Sequence, residues 1–382
     1  MGDRESEMIP FNKPSIEGSE LEYVRQSIAN GHISGDGVFT RRASASLERI
    51  IGAGKVLLTT SCTHALEMSA ILLDLRPGDE VIVPAFTFVT GVNAFVLRGA
   101  RPVFADVRPD TLNIDENGIE RLITPRTRAI VPVHYAGVAC SMDAIMEIAQ
   151  RREIAIVEDN AHGLFGEYKG RQLGTFGRLA TQSFHETKNV SCGEGGALVI
   201  NDASLIERAE IIREKGTDRS RFFRGQVDKY TWVDLGSSYL PSDMLAAYLL
   251  GQLEQATSIQ EKRKAIWQRY CDELSIWASE NGIALPSVPS ECGPAFHMFH
   301  LLMPTLAART ALIAWLRERG VFAVFHYVPL NTTPMGMSLG GSRGQCPVAE
   351  SASERLVRLP FFNSLSAEEQ ARVIESVLAW RP

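Results

Sequence analysis

The residues able to do chemistry fall in three short stretches. One is Ser183-Phe184-His185-Glu186-Thr187-Lys188-Asn189, followed by Gly193-Glu194-Gly195-Gly196. A lysine is ordinarily a solvated surface residue. Lys188 follows a strand end and precedes a glycine-rich return into another strand. In such a place an amine is desolvated, its pKa falls, and it becomes a nucleophile suited to a Schiff base. The second stretch, Ile154-Ala155-Ile156-Val157-Glu158-Asp159-Asn160-Ala161-His162, ends an apolar strand in two adjacent acids. Asp159 reads either as a helix cap or as the partner of a cationic group. The third, Thr59-Thr60-Ser61-Cys62-Thr63, sits between the apolar run Val56-Leu57-Leu58 and an apolar helix. Free N–H groups and hydroxyls at a helix start hold an anion, although Ser61 also serves there as a plain N-cap.

A lysine nucleophile, a carboxylate and an anion-binding helix start are the parts that a pyridoxal phosphate site requires. Lys188 would link to the cofactor, Asp159 would keep the pyridine nitrogen protonated, and the helix start would take the phosphate. Phe88, in Pro84-Ala85-Phe86-Thr87-Phe88, could stack on the ring, or simply pack in the core. No Gly-x-x-x-x-Gly-Lys-Ser/Thr is present, and no Gly-x-Gly-x-x-Gly follows the first strand, which argues against nucleoside triphosphate and nicotinamide chemistry.

Positioning these residues calls for an α/β architecture. Residues 80–83, 102–106, 129–134, 154–158, 179–184 and 196–200 are rich in β-branched side chains. Helical segments lie between them at 64–74, 89–97, 117–122 and 142–150. Such alternation predicts a mostly parallel central sheet, with ligands beyond its carboxyl ends. Residues 203–215 read as a helix and 216–238 as a long functional loop. A continuous helical stretch is expected over 242–280. Strands near 297–303 and 322–327, with helices near 309–319 and 367–380, predict a smaller α+β unit. The expected division is a large domain over 1–250 and a small C-terminal domain over 251–382.

Composition narrows the class. The 382 residues are 45% hydrophobic and 22% charged, ordinary for a folded protein of two domains. The 39 basic and 45 acidic residues leave a net charge of −6, a poor match to a nucleic-acid partner. No apolar stretch approaches the ~20 residues of a membrane helix, and the start of the chain lacks a signal-peptide core. Residues 1–7 read as a dispensable extension. The cysteines Cys62, Cys140, Cys192, Cys271, Cys292 and Cys346 form no Cys-x-x-Cys pair and no metal-ligand spacing. The expectation is reduced thiols, no metal and a cytoplasmic setting.

Taken together, several strings resemble the DegT/DnrJ/StrS family of pyridoxal-phosphate sugar aminotransferases. They are Gly-Asp-Gly-Val-Phe-Thr (35–40), Pro-Gly-Asp-Glu-Val-Ile-Val-Pro (77–84), Pro-Val-His-Tyr-Ala-Gly (132–137), Val-Glu-Asp-Asn-Ala-His (157–162), Ser-Phe-His-Glu-Thr-Lys-Asn (183–189) and Gly-Glu-Gly-Gly (193–196). The resemblance covers about residues 8–381. It implies an aspartate aminotransferase type fold (fold type I), a homodimer with the active site at the interface, and pyridoxal 5'-phosphate alternating with pyridoxamine phosphate. By the same resemblance, Lys188 is the cofactor-linking lysine and Asp159 the partner of the ring nitrogen. His162 lies by the phenolic oxygen, Phe88 stacks on the ring, and Ser61, Cys62, Thr63 and Ser183 surround the phosphate. Two positions depart from the family. Cys62 replaces a usual glycine, and Ser238 falls where many members place an asparagine that reaches the phosphate across the dimer.

The longer strings 131–140, 208–217, 224–232 and 323–330 resemble one subgroup, the dTDP-4-amino-4,6-dideoxygalactose transaminases of enterobacterial common antigen synthesis. That resemblance implies L-glutamate as donor and C4 of dTDP-4-keto-6-deoxy-glucose as acceptor. Arg219, Arg224, Lys229, Tyr230, His326 and Tyr327 are candidate substrate contacts, with solvated charge or core packing as the competing reading of each. Other 3- or 4-aminotransferases on UDP- or GDP-linked sugars share the cofactor motifs. A sugar dehydratase of the same fold typically carries His at the lysine position, so Lys188 argues against it. A non-catalytic regulator has no need of an intact Lys188–Asp159 pair.

Overall fold

The computed structural model describes residues 8–381, so the expected extension at 1–7 lies outside the described residues. Helices α1 (Glu20–Ala29) and α2 (Val38–Ile51) lead into β1 (Lys55–Thr59). The chain then alternates through α3 (Cys62–Leu72), β2 (Glu80–Pro84), α4 (Thr90–Val96), β3 (Arg101–Ala105), α5 (Glu116–Ile119), β4 (Thr127–Ile130), α6 (Met142–Arg152) and β5 (Ala155–Asp159). A small excursion, β6 (Glu167–Tyr168) and β7 (Arg171–Gln172), precedes β8 (Leu179–Ser183) and β9 (Gly196–Ile200).

The seven main strands form one sheet in the order β1-β9-β8-β5-β4-β2-β3. Pairings from β8 through β3 are parallel, and β9 runs antiparallel to both its neighbours. The sheet is therefore mostly parallel, as the alternation predicts. Both faces are covered, so the strands read as continuous apolar runs. Side-chain alternation then decides which layer each residue joins. Leu57, Val81 and Val83 pack under α3 and α4. Val56 and Leu58 pack on α2, and Ile82, Ile130 and Ile156 on α6.

Beyond the sheet come α7 (Ile206–Arg213), α8 (Arg219–Phe223), α9 (Asp243–Leu253) and α10 (Ala256–Glu280). Asp243 begins α9 and also caps α2, accepting from Phe39 N, from Thr40 N at 2.7 Å and from the Thr40 hydroxyl at 2.7 Å. After β10 (Cys292–Gly293), the chain builds β11 (His300–Leu302), α11 (Leu306–Glu318), α12 (Pro334–Ser338), α13 (Pro347–Arg355), β12 (Leu356–Arg358) and α14 (Ala367–Leu378). Strands β11 and β12 form an antiparallel pair. Their apolar residues join α10, α11 and α14 in a separate core with Tyr270, Trp277, Phe299, Phe362 and Trp380. A capping box between Ser366 and Glu369 starts α14.

Four expectations need correction. The helical stretch 242–280 is interrupted at Glu254 and Gln255, dividing it into α9 and α10. The strand near 322–327 is absent. Its backbone makes only isolated bridges, Ile9 with Val321 and Val324 with Arg358, and the Pro329 that follows cannot donate to a ladder. The loop 216–238 contains the single-turn helix α8. Helices α1 and α2 are additional to the elements read from the sequence.

Candidate active site

The C-terminal ends of β1, β8, β5, β4 and β2 share one edge of the sheet, and the candidate residues gather there. At the end of β1, Ser61 caps α3 by accepting from His64 N at 3.2 Å. The backbone N–H groups of Cys62 and Thr63 lie in the first turn, where a helix offers them no internal acceptor. The start of β9 crosses directly beneath. A Cβ on Gly196 would stand 2.3 Å from Cys62 N and from the Ser61 carbonyl carbon, so only glycine permits the approach. Cys62 accommodates the usual glycine position because the residue is helical and needs no positive φ. Its thiol hydrogen-bonds Thr181 at 3.5 Å. Burial, with the charge of Asp159, pushes that thiol up to about 12.

The two acids ending β5 face opposite ways. Glu158 is fully buried and occupied. It accepts from the N–H groups of Gly174, Phe176 and Gly177 at 2.6–2.8 Å and from His134 Nε2 at 3.1 Å. His134 Nδ1 accepts from Cys140 N, so Nε2 carries the proton. Asp159 points to the open edge. One carboxylate oxygen accepts from Ala161 N at 3.1 Å, and the other has no donor among the described residues. Burial raises its pKa, while the Ala161 N–H and Lys188 pull it back.

Strands β8 and β9 form a hairpin whose connection carries the lysine. Phe184 N donates to Gly195 O, Glu186 N to Gly193 O, and Cys192 N to Phe184 O, at 2.8–3.0 Å. Lys188 lines a pocket with Ala161, His162, Leu164, Ser183, Asn189 and Val190. Its amine has no hydrogen-bond partner among the described residues. Burial lowers its pKa to about 8, against the opposing pull of Cys62 and Asp159. The amine therefore gives up its proton more readily than a solvated lysine does.

A cluster of rings forms the far wall. His162 stacks on His297, with centroids 4.3 Å apart, and lies 3.5 Å from the Tyr327 hydroxyl. Its Nδ1 is buried without a partner. Tyr135 bonds His326 Nδ1 at 3.0 Å and packs on Phe86, His300 and Tyr327. His297 bonds Asn189 at 2.8 Å. Burial, with the positive charge of Arg358 nearby, holds His162, His297 and His326 well below the usual histidine range and His300 near 4. These rings are neutral at pH 7.

Of the sequence candidates, Ser61, Cys62, Thr63, Asp159, His162, Ser183, Lys188, His326 and Tyr327 converge on this edge. Phe88 stands at the rim, 56% exposed, its ring 6.2 Å from that of Tyr327. Ser238 is exposed but tied close by, since the neighbouring Tyr239 accepts from Thr60 N. Arg219, Arg224, Lys229 and Tyr230 are not brought to the pocket within one chain. Arg219 pairs with Glu214 and packs on Phe223 and Tyr230, and Arg224 pairs with Glu210. The sequence reading misses Tyr135, His297, His300 and Arg358. Tyr135 lies within the string 132–137, and Arg358 is the one charge in the apolar run Leu356–Phe362.

These side chains fit pyridoxal phosphate. Asp159 keeps an oxygen for a ring N–H, His162 keeps an unpaired nitrogen, Lys188 keeps a free amine, and the α3 start keeps unused N–H groups. The sheet order and this edge define a fold-type I pyridoxal-phosphate aminotransferase. Residues 14–378 match the DegT/DnrJ/EryC1/StrS aminotransferase family, and the chain belongs to it. It is 30% identical over 385 residues to the spore coat polysaccharide biosynthesis protein SpsC of Bacillus subtilis, covering 99% of this chain and 98% of SpsC. The aminotransferase TlmJ from Streptoalloteichus hindustanus superposes with a TM-score of 0.89 at 32% identity, over 97% of this chain and 98% of TlmJ. Spr1654 from Streptococcus pneumoniae has been solved in its PLP form, with a TM-score of 0.89 at 28% identity over 97% of each chain, and in a PMP form. The protein is a pyridoxal-phosphate aminotransferase of this family.

Proposed function

We propose that the protein moves the amino group of L-glutamate to C4 of dTDP-4-keto-6-deoxy-D-glucose, giving dTDP-4-amino-4,6-dideoxy-D-galactose. The observation that carries amino transfer is the free Lys188 amine, near pKa 8, beside Asp159 at the open edge. Pyridoxal phosphate, when bound, supplies an electron sink for breaking the donor Cα–H bond. Lys188 first anchors the cofactor. Released by the donor, its neutral amine would take the proton from the donor Cα and pass it to the cofactor, and in the second half-reaction it would carry a proton back from the cofactor to sugar C4 from one face. Asp159 would hold the proton on the ring nitrogen, His162 would face the phenolic oxygen, and Ser61, Cys62, Thr63 and Ser183 would bind the phosphate. The neutral histidines and the Tyr135–Tyr327 wall exclude bulk water.

The choice of a dTDP sugar and of C4 rests on the strings 131–140, 208–217, 224–232 and 323–330. We also place the site at the interface of a homodimer. Phe223 and Trp232 are 70% and 76% exposed, and a second copy covering that loop would bring the partner's equivalents of Arg219 and Ser238 to the substrate and the cofactor phosphate. The test is incubation of holoenzyme with L-glutamate and a panel of dTDP-, UDP- and GDP-linked 4-keto sugars, with product stereochemistry read by NMR. An axial C4 amine on the dTDP sugar is expected. An equatorial amine, or preference for another nucleotide, refutes the substrate assignment.

A further inference from the structure

We infer that His297 is a positioning residue for amino transfer: one edge of its ring holds Asn189, next to Lys188, and one face seats His162. This rests on the amino-transfer reading above and is independent of which sugar follows. His297 is buried, and its Nδ1 lies 2.8 Å from Asn189 Oδ1. The Asn189 amide nitrogen donates to Ala295 O at 2.6 Å. A carbonyl only accepts, so the amide oxygen faces His297, and His297 Nδ1 carries the proton. Nε2 is then the bare nitrogen of a ring that burial keeps neutral. The same ring lies nearly parallel to that of His162, at 18° and 4.3 Å between centroids. His162 Nδ1 has no partner, so the direction of that nitrogen depends on what the ring rests against.

The backbone that presents His297 is strained and firmly held. Phe296 has φ +49°, a left-handed conformation that a bulky residue keeps only where its surroundings impose it. Arg263 of α10, itself buried, donates to Phe296 O at 2.9 Å, to His297 O at 2.5 Å and to Asn363 Oδ1 at 2.7 Å. Asn363 in turn donates to Asn189 O at 3.3 Å. The Phe296 ring packs edge-on against Trp267. On the other side, Ala295 N donates to Gly137 O at 2.8 Å. Gly137 comes so close that a Cβ there would stand 2.8 Å from Ala295 Cβ and 2.9 Å from His162 O. The turn 295–297 thus fastens the Lys188 loop at one point and the segment after β5 at another. Neither Lys188 nor His162 is fixed by its own hydrogen bonds. The amine has no partner among the described residues, and His162 Nε2 has the Tyr327 hydroxyl at 3.5 Å. In the proposed mechanism both must meet one cofactor ring, and His297 is the group that touches the supports of both. Backbone strain of this kind is retained where it serves a site.

The test compares His297→Phe, Asn189→Ala and His297→Asn with wild type, as holoenzymes without sugar. Phenylalanine keeps a ring for the stack and loses the donor, whereas asparagine keeps a donor at the Nδ1 position. One readout is the pH midpoint of the absorbance change of the cofactor joined to Lys188. The other is the rate and KM of the absorbance change on addition of L-glutamate. His297→Phe and Asn189→Ala should each move the midpoint by about half a unit or more. Both should lower the limiting rate roughly tenfold or more, the cost of misplaced reacting groups, with KM little changed. His297→Asn should recover part of both effects. In wild-type apoprotein carrying isotope-labelled histidine, NMR should show the signal that His297→Phe removes to be protonated on Nδ1 and bare on Nε2 near neutral pH. Midpoint and rate unchanged in both His297→Phe and Asn189→Ala would overturn the inference, as would an Nε2–H signal or a loss confined to melting temperature. If wild type itself gives no absorbance change with L-glutamate, the amino-transfer reading fails and this inference falls with it.

Discussion

The proposed role of Lys188 asks for a nucleophilic amine, and burial lowers its pKa toward that need at the expense of stability. In the cofactor-free chain its pKa is about 8, against the usual 10.5. Between those values the unfolded chain binds a proton that the folded chain does not, so stability rises with pH across that window. Below about 8 both states are protonated, and the folded state bears the full cost of a desolvated ammonium. Lys188→Met apoprotein should therefore melt above wild type at pH 7. The difference should shrink as pH climbs from about 8 toward 10.5. Thermal melts at a series of pH values check this, and a difference that stays constant would count against it. Asp159 and Glu158 make a related point. They are neighbours in sequence, yet β-strand alternation sends one to the pocket and locks the other among three backbone N–H groups and His134.

At the level of elements, β9 packs so closely against the start of α3 that a side chain has no room. Gly196→Ala sets a Cβ 2.3 Å from backbone atoms that cannot yield as a flexible side chain would. A cost of about 1–3 kcal/mol is expected for such overpacking. The displaced turn is the proposed phosphate site, so the dissociation constant for pyridoxal phosphate should rise about tenfold or more. Cofactor titration and a melting curve read both effects, and unchanged affinity would remove the α3 start from the phosphate site. This also explains what the sequence reveals. Ser61, Asp159 and Lys188 are legible because each follows a strand end in its own local string. Arg358 and His300 reach the pocket through pairing within the small sheet, and Tyr135 through contacts with His326 and Tyr327. No local spacing encodes such long-range register. The break between α9 and α10 is equally hidden, since Glu254 and Gln255 carry no Gly or Pro to mark it.

For the whole molecule, the exposed aromatic loop is the feature a single chain leaves unexplained. Phe222, Phe223, Tyr230 and Trp232 lie on the surface near the Glu214–Ser238 bridge, and exposed apolar patches of this kind mark interaction sites. Light scattering should report twice the 42.1 kDa chain mass. Phe223→Asp with Trp232→Asp should shift the protein to monomer and weaken cofactor retention. A variant that stays dimeric would move the interface elsewhere. Within each pocket, the lysine is rooted in a hairpin pinned on both sides by backbone hydrogen bonds. The loop has little freedom to swing, so the amine travels by rotation about its own four methylenes. Rotamer hops of that kind take picoseconds to nanoseconds, whereas collective segment motions take microseconds or longer. On the proposed role of Lys188, its amine then stays within reach of the reacting atoms without any movement of the loop.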